Sequence, residues 1–351
     1  MTADMLVRDA REIARQWVIE EGSGIAGFCG AYHAGSTSWL PAGSTIPPTS
    51  DVDVMVVVSD PSRLAKRGKF IYRGVLLDVS YVPSDQLASP DQVLGDYHLA
   101  GGLRTPSIIA DPSGELAALQ AVVSAGYASR RWVRKRCEHA INRVIEHLQP
   151  VFGFPLPLHD QVTAWLFATG VTTHVLLVAG LKNPTVRGRY AAVRELLSEC
   201  GRLEFHETLL ELLGAAALSR ERVEQHLTAL ASVFDATAAV IRTPFPFASD
   251  ITSAARPIAI DGSRDLIERG LHREAVFWIL ATYSRCQKVL HQDGAAGMED
   301  QFSPGYRQLL GDLGVEPFDD LRRRSQEVEL FLPRLREEAE LIMAANRSIT
   351  D

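Results

Sequence analysis

Residues 51–59 read DVDVMVVVS. Five valines in this short run make it the clearest strand in the chain, and their density predicts burial on both faces beyond the two aspartates. Side chains alternate along a strand, so Asp51 and Asp53 share a face and point to one spot at the strand's edge. Like charges held that close repel, and burying them is costly unless a cation joins them. One or two Mg²⁺ ions resolve the conflict, because Mg²⁺ takes carboxylate oxygens and keeps room for phosphate.

Working outward, Phe70 to Val82 (FIYRGVLLDVSYV) reads as strand, turn at Arg73 and Gly74, strand. Asp78 sits within that second apolar run. If its strand lies beside the first, three carboxylates converge on one metal site. Upstream, Ile25 to His33 suits a short strand, and Gly35 and Ser36 follow it ahead of a loop or helix at Thr37 to Leu40. A Gly-Ser step in that place frees backbone N–H groups and a hydroxyl to hold phosphate oxygens. Leu6, Ala10, Ile13, Ala14, Trp17 and Val18 recur at helical spacing and predict an amphipathic helix ended by Gly22 and Gly24. Pro106 to Ala110 is a further strand, stopped by the turn sequence Asp111-Pro112-Ser113-Gly114.

Beyond about residue 115 the spacing turns helical. Residues 115–149, 158–181, 185–200, 218–241, 263–292 and 317–347 carry apolar residues three and four apart, separated by Pro or Gly breaks. The expected fold is therefore α+β followed by all-α: a small mixed β-sheet domain over residues 1–120, then a helical bundle over 121–351. No fixed-period repeat is present.

At 351 residues and 46% hydrophobic the chain can bury a core in each part. The net charge is −7, and residues 1–120 carry 9 Lys and Arg against 14 Asp and Glu. That balance excludes the basic footprint of a protein that grips long nucleic acid. Four scattered cysteines with no CxxC pair suit a reducing cytoplasm and give no zinc signature. Thr163 to Leu181 lacks Asp, Glu, Lys and Arg, yet four threonines, two glycines and His174 dilute it. It is expected to be a buried core helix rather than a membrane span, and no membrane partner is expected.

Taken together, GAYHAGSTSWL (30–40), SDVDVMVVV (50–58) and VLLDVSYV (75–82) resemble the DNA polymerase β-like nucleotidyltransferase superfamily, whose signature is Gly-Ser, a spacer, Asp-x-Asp on a strand and a third acid on a later strand. The resemblance covers roughly residues 10–115. In layout the chain is most similar to the aminoglycoside nucleotidyltransferases and related bacterial nucleotidyltransferase-domain proteins. It departs from them in a longer, Pro-rich spacer (37–50) and in an Asp where that branch commonly has Glu. The resemblance implies that Asp51 and Asp53 bind two Mg²⁺ or Mn²⁺ ions, that Asp78 binds the ion activating an acceptor hydroxyl, and that Ser36 beside Gly35 contacts the NTP phosphates. The implied reaction moves AMP from ATP to a hydroxyl of an aminoglycoside-like small molecule and releases pyrophosphate. Nucleotidylation of a protein partner and a non-catalytic, nucleotide-binding regulator are the alternatives.

Each residue also has a plainer role open to it. Asp51 could be a turn residue, Asp78 an edge residue facing water, and Ser36 a helix cap. The segment LKNPTVRGRY (181–190) places Lys182, Arg187 and Arg189 on a short connection between helices, either as a triphosphate clamp or as ordinary surface cations. The run RRWVRKR (130–136) reads better as a solvated helix face than as a nucleic-acid patch. His33, His98, His159 and His174 have no metal-ligand spacing.

Overall fold

The computed structural model describes residues 5–62, 64–153, 156–315 and 318–351. The chain forms two compact units: Met1–Arg136 with Ser348–Asp351, and Cys137–Arg347.

The first unit opens with helix α1 (Val7–Glu20) and continues through strands β1 (Phe28–Ala34), β2 (Val52–Val58), β3 (Gly68–Tyr72) and β4 (Val75–Pro83). Short helices α2 (Pro90–Gly95) and α3 (Leu99–Leu103), strand β5 (Ile108–Ala110) and helix α4 (Glu115–Gly126) follow. The five strands form one mixed sheet in the order β3-β4-β2-β1-β5, with β2 parallel to β4 and the other pairs antiparallel.

Alternation along the strands decides what each face of the sheet meets. Val52, Val54, Val56 and Val58 of β2 and Val75, Leu77 and Val79 of β4 bury against Ala10, Ala14, Trp17 and Val18 of α1. The opposite face carries Val57 and Val82 into a second core with Leu94, Leu103, Leu116, Leu119 and Val123 from α2, α3 and α4. Each fully buried Val is worth roughly 1.5–3 kcal/mol, and slipping a strand by one residue would turn the whole α1-facing set outward. The register is therefore tightly set. The same parity puts Asp53 and Asp78 on the face turned away from α1.

Strands β3 and β4 are joined by a two-residue turn in which Arg73 (φ 47°) and Gly74 (φ 82°) both adopt positive φ. That is the requirement of a type I′ hairpin, whose twist matches its strands. It fixes every pair of the hairpin, from Tyr72 with Val75 back to Gly68 with Val79.

Helix α5 (Arg130–Phe152) runs past the boundary between the units, and the region expected as one helix over 115–149 is divided into α4 and α5. The second unit continues with α6 (Leu158–Ala179), α7 (Arg189–Glu199), α8 (Leu203–Leu213), α9 (Arg220–Ala238), α10 (Gly262–Glu268), α11 (His272–Asp293), α12 (Met298–Asp312) and α13 (Phe318–Ala345). Helix α6 packs on α7, α8, α11 and α13 and is largely buried inside the fold. Its interior threonines do not leave hydroxyls orphaned. Thr169 donates to the Trp165 carbonyl (2.9 Å), Thr172 to Thr169 (2.6 Å) and Thr173 to Gly170 (2.7 Å), so these three buried hydroxyls are satisfied within the helix.

Candidate functional site

The parallel pairing of β2 with β4 sets Asp53 directly beside Asp78. Asp51, two residues earlier, stands at the head of β2 on the same side. Burial, followed by the neighbouring carboxylates of Asp51 and Asp78, raises the pKa of Asp53 well above the ordinary carboxylate range, against the opposing pull of Lys69 and Lys66. The ammonium of Lys69 provides the local counter-charge. Lys69 lies opposite Asp78 in the hairpin and bonds to its Oδ2, and its Nζ is 3.1 Å from Asp51 Oδ2. Its side chain is only 9% exposed.

Gly35 closes the site from the β1 side. Ala34 pairs with Asp53, and the next residue bends the chain at φ 60°, ψ −160° into a single 3₁₀ turn, Ser36–Ser38. A Cβ at position 35 would lie 1.7 Å from Asp53 Oδ2, so the backbone reaches the carboxylate only because the residue is Gly. The turn is tied down from both ends. Ser38 Oγ donates to the Gly35 carbonyl (2.8 Å), while Arg11 of α1 donates to the carbonyls of Thr37 and of Leu40, the latter at 3.3 Å. Thr37 is fully buried, and the Arg104 guanidinium stacks 3.4 Å above the Trp39 ring just beyond the turn. Nearby on β1, burial and then the Arg11 charge lower the pKa of His33 to about 4, which keeps its imidazole neutral at ordinary pH.

The structure thus brings together Gly35, Ser36, Asp51, Asp53 and Asp78. Lys69 and Arg11 join them, and sequence reading alone had passed over both. For Lys69 the signal was present: a two-residue turn at Arg73 and Gly74 places Lys69 across from Asp78 once the hairpin is counted out. The donor set suits a hard divalent cation, being all carboxylate oxygen, and Asp78 Oδ1 is buried without a hydrogen-bond partner. Among the described residues no three His, Cys, Asp or Glu side chains converge as a ready ligand set. Asp51 and Asp78 converge on Lys69 instead.

Lys182, Arg187 and Arg189 belong to the helical unit. Lys182 pairs with Glu199 at 2.8 Å. Arg189 is buried, its guanidinium 4.0 Å from the centre of the Phe277 ring and its Nε donating to the Val186 carbonyl at 2.7 Å. In the run 130–136, Arg136 is likewise buried, bonding the carbonyls of Leu94 (3.1 Å) and Tyr127 (2.6 Å), while Arg130 pairs with Asp351 (2.8 Å). A cavity of about 650 Å³ opens on the α4 side of the sheet, lined by Cys29, Val57, Leu87, Leu116 and Leu119 among others, and includes none of the five residues above. No protein-family model and no curated protein matches the chain.

Proposed function

We propose that this chain is a metal-dependent nucleotidyltransferase that moves AMP from ATP to a hydroxyl of a small molecule, aminoglycoside-like in class, and releases pyrophosphate. The observation that carries the reading is the placement of Asp53 beside Asp78 on parallel strands, with Asp51 at the strand head and a Gly-Ser turn packed on the Asp53 carboxylate. The resemblance of these motifs to the polymerase β-like nucleotidyltransferases supports it.

Asp51, Asp53 and Asp78 would hold Mg²⁺ or Mn²⁺. Such an ion, when bound, neutralises the charge on the triphosphate and on the departing pyrophosphate. The chain's own groups do the rest. The turn at Gly35 and Ser36 offers N–H and hydroxyl donors to the phosphates, held in place by Arg11. The acceptor oxygen forms a bond to the α-phosphorus as the bond from that phosphorus to pyrophosphate breaks, and the acceptor's proton passes to Asp78 or to solvent. The excess of acidic over basic residues in residues 1–120 fits a nucleotide brought in with its metal better than a long nucleic acid.

Calorimetry with ATP tests the binding half: affinity should require Mg²⁺ and should lose that requirement in Asp51→Asn and Asp53→Asn. Equal ATP affinity in Mg²⁺ and in EDTA, in wild type and both variants, would sink the proposal. The reaction is tested by incubating the protein with Mg²⁺ and each of the four NTPs against a panel of aminoglycosides, other polyols and whole-cell protein extract, read by mass. A monophosphate added to a small molecule supports the reading. The same shift on a protein redirects it to protein nucleotidylation, and metal-dependent binding without product redirects it to a regulatory nucleotide sensor.

A further inference from the structure

The geometry points to Lys69 as a built-in replacement for one of two metal ions, so that the site takes a single divalent cation. This rests on the nucleotidyltransferase reading and departs from the two-ion arrangement that the family resemblance implies.

Three observations converge on it. First, Lys69 Nζ bridges the two outer carboxylates, Asp51 Oδ2 at 3.1 Å and Asp78 Oδ2. An ion shared among the three acids would have to contact those same two groups. Second, the lysine is not a surface side chain that wandered in. The type I′ turn at Arg73 and Gly74 locks it opposite Asp78, and the side chain is 9% exposed, so removing the ammonium from the carboxylates would require a different path for a largely buried stem. Third, the Lys69 ammonium already brings one positive charge to Asp51 and Asp78. A second ion would add positive charge directly against an ammonium in a poorly hydrated place, where like charges repel most strongly. The acidic oxygens outside the two Lys69 contacts, including the buried and unpartnered Asp78 Oδ1, remain as donors for one ion.

The test counts ions on the full chain. Wild-type protein saturated with α,β-methylene-ATP is titrated with Mn²⁺ and read by equilibrium dialysis and by electron paramagnetic resonance. One bound Mn²⁺ per chain with an uncoupled six-line spectrum is expected. Two Mn²⁺ ions with the exchange-coupled spectrum of neighbours about 4 Å apart would overturn the inference while leaving the nucleotidyltransferase reading intact. Failure of Mn²⁺ to bind with nucleotide at all would overturn both. Lys69→Met supplies the converse: it should unfold at lower temperature than wild type without metal, gain more from Mn²⁺, and bind a second ion. If Lys69→Met folds and still binds one ion, the lysine is not standing in for a metal. The wild-type count decides the matter even if the variant does not fold.

Discussion

Substituting Gly35 by Ala should destabilise the first unit by far more than one methyl group suggests. The backbone at Gly35 (φ 60°, ψ −160°) lies in a region open essentially to Gly, and an L-residue there costs on the order of 1–3 kcal/mol. The added Cβ would also fall 1.7 Å from Asp53 Oδ2, 2.5 Å from its Cγ and 3.0 Å from its Cβ. The carboxylate cannot stay, and forcing such an overlap in a packed place costs a further ~1–3 kcal/mol. The sum is roughly 2–6 kcal/mol, or a fall in melting temperature on the order of 10 °C for a unit of this size. Urea unfolding followed by tryptophan fluorescence, with Trp17 buried in the core of the same unit, measures it. Gly43, where an added Cβ meets nothing within 4 Å, is the control, and Gly43→Ala should change stability by less than about 1 kcal/mol. The double variant Gly35→Ala/Asp53→Ala should recover the overlap but not the backbone cost, a coupling of ~1–3 kcal/mol. A Gly35→Ala protein within about 1 kcal/mol of wild type would refute the reasoning. An equal loss in the Asp53→Ala background would show that the strain does not come from the carboxylate.

Asp53→Asn should raise the melting temperature of metal-free protein at pH 7. The raised folded-state pKa of Asp53 means that its ionised form is disfavoured in the fold, so this residue's contribution is most favourable at low pH and is lost as pH rises through that pKa. The gain should vanish near pH 3, and a lower melting temperature at pH 7 would contradict it. His33, His147, His159 and His206 work in the opposite sense. Burial lowers each to about 4 from an unfolded value of 6.5. The unfolded chain therefore binds more protons between those values, and stability should hold above pH 6.5 and decline as pH falls from 6.5 toward 4. Melting temperatures flat across that window would count against buried neutral imidazoles. Finally, the Lys182–Glu199 pair is exposed, so Lys182→Ala should cost under ~1 kcal/mol. A fall in ATP affinity in Lys182→Ala/Arg187→Ala, measured by calorimetry, would then report phosphate contact rather than unfolding, and unchanged affinity would remove both cations from the site.

Much of the fold was legible because its signals are local. The valine run fixed β2, the turn at Arg73 and Gly74 announced the β3–β4 hairpin, and three-and-four spacing marked the long helices. Period-two alternation already placed Asp51 and Asp53 on one face. Helices α8 and α12 escaped notice, as did the break between α4 and α5, since periodicity blurs where Gly and charged residues interrupt short segments. What the sequence could not supply was adjacency across the sheet. That Asp53 stands beside Asp78 depends on β4 pairing parallel to β2, a long-range choice made by burying one valine face against α1. The roles of Arg11 and Arg189 were hidden for a related reason: a cation reads alike whether it meets a phosphate, a backbone carbonyl or a phenyl ring. Only the tertiary packing delivers Arg11 to the Thr37 carbonyl and Arg189 to Phe277, because each contact joins residues far apart along the chain, where no spacing rule reaches.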